Sequence, residues 1–368
     1  MQRHIAQGRD AVVAGMHHRS GVLQNTRMPI ASPAALLPSG IGPRATRKER
    51  RVFDAGGGEL LPGRIVLDEA GPRTSTDPAA VNVFAYCGMT YDFYANNFFR
   101  NSIDDKGMRL DATVHFGTGY VNACWNGRQL VLGDGDGRLF LGFTSPEVVA
   151  HELTHGVIQH SARLPYAGQA GAVAEHLCDA CGITARDWWL GREASQSDWL
   201  IGTGVFSPAV MGTAIRSMMN PGTAYDDPVL GRDPQPAHMR DYVDAPRDNG
   251  GVHVNSGILN RAYALAAVAL GGCYWNTVGR VWYRVMTGTL LPQTTFRSFA
   301  NDTVRVAGEL FGRGEVQQTV ADAWAEVGVP VRPLAAFSAP RMVIAAPRSF
   351  VSIHRNDQPS NETKGNTE

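Results

Sequence analysis

No apolar run in this 368-residue chain approaches the roughly 18 residues of a membrane-crossing helix, so helical membrane insertion is not expected. Neither charge is in surplus. The 34 Lys+Arg face 34 Asp+Glu, which removes the positive field that nucleic acid or an anionic membrane surface would call for. Cysteine is scarce: the five residues Cys87, Cys124, Cys178, Cys181 and Cys273 imply no disulfide framework. The lone Cys178-x-x-Cys181 lacks the second pair of a structural metal site, and two small buried helix residues are its simpler reading. A readable secretory signal is missing as well, because Arg3, His4, Arg9, Asp10, His17, His18 and Arg19 interrupt the apolar stretches. What the chain does have is core-forming material, 43% hydrophobic residues against 18% charged, enough for one large domain or two ordinary ones.

Residues 1–51 read as a leader, broken by Pro29, Pro33, Pro38 and Pro43 and closed by the basic run Arg44, Arg47, Lys48, Arg50, Arg51. It is either a solvated arm or a prosegment whose exposed basic end is cut during maturation. From Val52 to Thr144, short apolar stretches such as Arg64–Leu67 and Ala112–Phe116 alternate with glycine turns, and one helical pattern interrupts them near Ala79–Phe99. After Ser145 the apolar spacing turns helical, in Val148–Ala162, Ala170–Leu190, Gly257–Leu270, Thr277–Thr287, Phe296–Leu310 and Glu315–Val327. That order predicts an α+β fold with a β-rich lobe over 52–163 and a helical lobe over 164–330. Residues 331–368 are proline-rich and then polar, and read as a flexible tail.

The strongest local feature is His151-Glu152-Leu153-Thr154-His155. Four residues apart on a helix, both imidazoles face one ion, and Glu152 falls beside them where it can polarise a water. A catalytic zinc needs a third protein ligand and one open position. The next helical stretch offers Glu175, and one turn later Asp179, which can accept the second N–H of a ligand histidine.

These residues resemble the thermolysin-like zinc endopeptidases. Further matches are Asn122-Ala-Cys-Trp-Asn-Gly127 with Gly133-Asp-Gly-Asp-Gly137, Tyr166, Arg216-Ser-Met218, and Asp248-Asn-Gly-Gly-Val-His253. The resemblance covers Val52 to Pro330 and, with a short leader, is nearest to the protealysin-like subgroup. It implies a two-lobe fold with one zinc in the cleft, held by His151, His155 and Glu175, with Asp179 behind them. Glu152 is then the general base, His253 and Tyr166 the oxyanion donors, and Asp248 the partner that keeps His253 cationic. Asn122 and Ala123 would hold an extended peptide at the sheet edge, and Arg216 would fork onto a substrate carbonyl. Phe140, Val148, Ile201 and Ile215 would line the pocket that selects bulky apolar residues after the cut bond.

The chain departs from that pattern at two places. Ala174 stands where the family has an Asn that orients the second histidine. The family's double calcium site would fall at Glu147, Arg186, Asp198, Leu200 and Thr203, so calcium is not expected; Asp134 and Asp136 do not restore it, since Ser145 sits at the bidentate glutamate position of an EF-hand loop. His160 and His176 read as surface or pocket-edge residues. Peptide and protein substrates, an inhibitory leader, a monomer, and secretion by family resemblance complete the expectation. The competing readings are a catalytically silent peptide- or prosegment-binding relative, a structural metal protein built on the cysteines, and a cytoplasmic location.

Overall fold

A computed structural model describes residues 47–71, 75–244 and 246–333. The leader up to residue 46 and the tail from residue 334 lie outside the described residues.

The N-terminal lobe is built on a mixed five-stranded sheet. Its strands are β1 (Arg50–Asp54), β2 (Arg64–Asp68), β3 (Leu110–Val114), β4 (Ala123–Trp125) and β5 (Leu130–Leu132), in the order β2-β1-β3-β5-β4. β1 pairs antiparallel with β2 and parallel with β3, while β4 pairs antiparallel with β5, Cys124 opposite Val131. Among the described residues β4 is therefore an edge. Helix α1 (Pro78–Phe98) covers the sheet; Pro78 opens it and the Asp77 carboxylate caps it by accepting from the Ala80 N–H at 2.7 Å.

The leader boundary needs correction. Arg50 and Arg51 belong to β1, an inner strand. Arg50 is buried, donating to Glu69 and to the Phe84 carbonyl; Arg51 pairs with Asp111 and Lys48 with Asp92. This end of the basic run is structure and not an exposed junction.

Helices α2 (Pro146–Gln159) and α3 (Gly168–Leu190) follow, and then α4 (Asp248–Leu270), α5 (Val278–Gly288), α6 (Phe296–Phe311) and α7 (Glu315–Glu326). α1 and α2 begin before their first apolar residue because proline is preorganised for the opening turn. Between α3 and α4 run four two-residue strands, β6 (Leu200–Ile201) with β7 (Arg216–Ser217) and β8 (Asp226–Asp227) with β9 (Gly231–Arg232). Trp282 stacks on Trp324 at 6.0 Å and both meet Phe299, forming the aromatic centre of the helical lobe. At Gly182 a side chain would meet the Glu147 carbonyl oxygen at 2.6 Å, so this glycine sets how closely α2 and α3 approach. Among the described residues, no helix is long and apolar enough to cross a membrane.

Candidate active site

The close approach of α2 and α3 creates the site. His151 and His155 stack edge to face one turn apart, with ring centroids separated by 5.0 Å. Glu175 enters from α3: its Oε2 lies 3.4 Å from His151 Nε2 and its Oε1 3.3 Å from His155 Nε2. Ligand atoms about 2.1 Å from a tetrahedral zinc are separated by about 3.4 Å, so the spacing fits that ion. Glu175 is almost wholly buried, and its Oε2 receives no hydrogen bond. A buried carboxylate oxygen without a donor is costly unless a cation completes it. Burial would raise the Glu175 pKa, yet His253, His155 and His151 hold it well below the carboxylate range.

Asp179 lies 2.8 Å from His151 Nδ1, which turns Nε2 toward Glu175. Cys178 brings a sulfur within 4.8 Å of the two histidines, but burial pushes its thiol far up, so it stays protonated. Cys181 is buried beside it on the same helix. Glu152 is buried at the cleft floor, where its Oε2 accepts from the Trp125 N–H of edge strand β4 at 2.8 Å and its Oε1 lies 3.9 Å from His151 Nε2. Trp125 thus turns its N–H away from β5, and by strand alternation Ala123 presents its N–H and C=O on the same side.

The opposite wall comes from the start of α4. Asn249, Gly250 and Gly251 adopt left-handed φ of 49°, 87° and 76°, and this reversal folds Asp248 back over the first true helical turn. Its carboxylate accepts from the His253 backbone N–H at 2.9 Å and from His253 Nδ1 at 2.6 Å. The Tyr166 hydroxyl lies 3.0 Å from His253 Nε2 and donates to Glu175. Burial disfavours charge on His253, but Glu175 and then Asp248 outweigh it and raise its pKa to about 9. Tyr166 is pushed well above its ordinary value, chiefly by burial, and remains a donor.

A cleft of about 370 Å³ joins these groups, lined by Asn122, Ala123, Val148, Ile215 and Arg216 as well as His151, Glu152, His155 and His253. Arg216 spends Nε and Nη2 on Asp179, at 2.9 and 2.7 Å, so only its remaining N–H groups can meet a substrate. Phe140 and Ile201 are not in the lining; both are buried in the core, Phe140 bridged to Phe206 and Ile201 paired with Arg216. Phe143, Tyr225, Leu230 and Gln235 take part instead.

The sequence comparisons agree with this geometry. The description "thermolysin metallopeptidase, catalytic domain" matches residues 47–159, and "thermolysin metallopeptidase, alpha-helical domain" matches residues 162–329. The chain belongs to the thermolysin family of metallopeptidases.

It is 44% identical over 333 residues to the "Extracellular metalloprotease" of Pectobacterium carotovorum subsp. carotovorum, covering 90% of this chain and 92% of that protein. Against a "Thermolysin" of Alicyclobacillus acidocaldarius subsp. acidocaldarius it is 36% identical, over 75% of this chain and 50% of the other. The solved precursor of protealysin from Serratia proteamaculans aligns at 45% identity with a TM-score of 0.75, covering 77% of this chain and 88% of that one. Like its family, the chain is a metalloendopeptidase, a hydrolase with a β-containing N-terminal lobe and a helical C-terminal lobe.

Two features of this thermolysin-family chain stand apart from the expected pattern. Arg186 donates to Asp198 Oδ1 at 2.7 Å, to Asp187 Oδ1 at 3.0 and 3.1 Å, and to the Leu200 carbonyl at 3.1 Å. His176 is not at the surface: it is fully buried within α3, and burial lowers its pKa to about 4. An all-round buried helix carries no amphipathic signal, so its inward polar residues cannot be told from outward ones by spacing.

Proposed function

We propose that the protein is a single-zinc endopeptidase that hydrolyses peptide bonds on the N-terminal side of bulky apolar residues. The observation that carries this reading is the undonated Glu175 Oε2 set at tetrahedral spacing against two imidazoles, with Glu152 and the β4 edge beside it. His151, His155 and Glu175 would hold the ion, and Asp179 would orient His151. When bound, zinc supplies Lewis-acid polarisation and lowers the pKa of water at the site.

The chain's own residues supply the rest. Glu152 removes a proton from the attacking water and passes it to the leaving amine. Tyr166, whose O–H would turn from Glu175, and His253 would supply O–H and N–H donors where the oxyanion develops, with Asp248 holding His253 charged. An extended peptide adds to edge strand β4 through Asn122 and Ala123, while Arg216 steadies its backbone. Val148, Ile215, Phe143 and Leu230 give the cleft an apolar wall that suits a bulky apolar side chain. Ala174 supplies no acceptor for His155, which lowers zinc affinity relative to an Asn at that place.

We further propose a zymogen whose leader occupies the cleft, secretion in line with the relative named an extracellular metalloprotease, and independence from calcium. The deciding experiment measures zinc content and chelator-sensitive peptide cleavage by purified protein, with and without its leader. Stoichiometric zinc and cleavage before Leu, Ile or Phe support the proposal. Cleavage that survives full metal removal, or no cleavage in any form, overturns it.

A further inference from the structure

His176 has no place in the reaction as derived above, yet its hydrogen bonds lead to the metal centre. The Trp282 indole Nε1–H, which can only donate, meets His176 Nε2 at 2.7 Å. His176 Nε2 must therefore be the acceptor, and the ring carries its proton on Nδ1. That Nδ1–H lies 2.8 Å from Asn260 Oδ1. With its oxygen so engaged, Asn260 turns its Nδ2 amide toward Asp179 Oδ2, at 2.8 Å. Asp179 in turn accepts from His151 Nδ1 and from the Arg216 fork, so Asn260 is its second restraint beside that guanidinium. His176, Asn260 and Asp179 are each fully buried, so water does not compete for these bonds. Every donor in the row is fixed by the one before it, starting from a group that cannot accept.

We propose that His176 is a positioning residue for the metal centre: with Trp282 it sets the orientation of the Asn260 amide, which holds Asp179 in line with His151. The aromatic core of the helical lobe is thereby mechanically and electrostatically connected to a metal ligand about one helix away. The proposal rests on the zinc reading of His151, His155 and Glu175.

The test measures zinc dissociation constants by chelator competition on full-length protein, without reference to activity. His176→Leu, which fills the space but breaks the row, is expected to weaken zinc about 10-fold, the lower end for residues behind a ligand. His176→Asn keeps a donor for Asn260 and should recover to within about 3-fold of wild type. If the residues act as one row, Asn260→Leu and the His176→Leu/Asn260→Leu double variant should bind zinc equally. Should His176→Leu fail to fold, Trp282→Phe removes the indole donor along with the second ring of a buried side chain, and a loss of about 3-fold is expected in the folded variant. Affinities within about 2-fold of wild type across the folded variants, or fully additive losses in the double variant, would overturn the proposal while leaving the zinc reading intact. Wild-type protein that binds no zinc would overturn both.

Discussion

Arg186 points its guanidinium at Asp198, Nη2 to Oδ1 at 2.7 Å, and stands as a fixed cation where the thermolysin family is expected to carry part of a calcium cage. The same guanidinium neutralises Asp187, which is fully buried and also accepts from the Tyr274 hydroxyl at 2.8 Å. Glu147 is likewise committed, to the Gly202 N–H and the Ser145 hydroxyl. Calcium should therefore leave the thermal midpoint unchanged, and a rise of ~10 °C on titration would contradict this. Arg186→Met should cost about 3 kcal/mol in a denaturant titration, because it strands Asp187 without its cation. A loss below about 1 kcal/mol would show that the pair is not a structural substitute for the ion.

Glu152→Ala should keep the fold and the zinc, since His151, His155 and Glu175 remain, while peptide cleavage disappears. The carboxylate is also the acceptor for the Trp125 N–H, so Glu152→Gln, which retains an acceptor, separates the two roles. Both variants should be inactive; residual turnover above about one per cent of wild type in either would remove Glu152 as the base.

His115 ties two acidic groups together, Nδ1 to Asp134 at 2.9 Å and Nε2 to the helix-capping Asp77 at 3.1 Å. Burial works against its charge, but the hydrogen bonds to Asp134 and Asp77 prevail and raise its pKa above the ordinary 6.5. A raised folded-state pKa means the stabilisation is complete below the ordinary value and fades as pH climbs through the raised one. His115→Gln should therefore cost about 0.5 kcal/mol more at pH 6 than at pH 9, read from urea midpoints. His115 sits at φ 54°, and whatever strain Gln meets there is the same at both pH values, so the difference isolates the charge. An equal loss at both would show that the ring serves only by its shape.

Much of the site was legible because its residues sit on elements with fixed periods. His151 and His155 are one helical turn apart, as are Glu175 and Asp179, and the Asp-Asn-Gly-Gly run forces one turn that returns Asp248 to His253. The pocket wall was less legible. Phe140 and Phe143 occupy an irregular loop after β5, where no period says which ring faces the cleft, and the structure turns Phe143 to it. Residues from Tyr225 to Gln235 were missed for the same reason, although the dense Asp, Pro and Gly there signalled an ordered turn. Arg50 and Arg51 misled in the opposite way: a basic run resembles a solvated linker, and their partners, Glu69 for Arg50 and Asp111 for Arg51, lie too far along the chain to be seen locally.

The position of β1 also constrains how a leader could be removed. This strand lies between β2 and β3, and Arg50 anchors it through Glu69 and the Phe84 carbonyl. A cut at Arg51–Val52 would sever the buried anchor from the strand, break the Arg51–Asp111 pair, and open an inner position of the sheet. Arg47, by contrast, exposes 79% of its side chain and precedes every strand contact. Maturation should therefore cut no later than the Arg47–Lys48 bond. Cleavage there would turn a tethered inhibitor of high effective concentration into one that dissociates. Incubated full-length protein should yield a fragment whose N-terminal sequence begins no later than Lys48, with activity rising as it appears. Protein beginning at Arg47 should be active and stable, and protein beginning at Val52 should melt earlier because it lacks the Arg50 and Arg51 pairs. An active fragment starting beyond Asp54 would show that β1 is dispensable. Full-length protein with an intact N-terminus that is already as active as protein beginning at Arg47 would reduce the leader to a solvated arm.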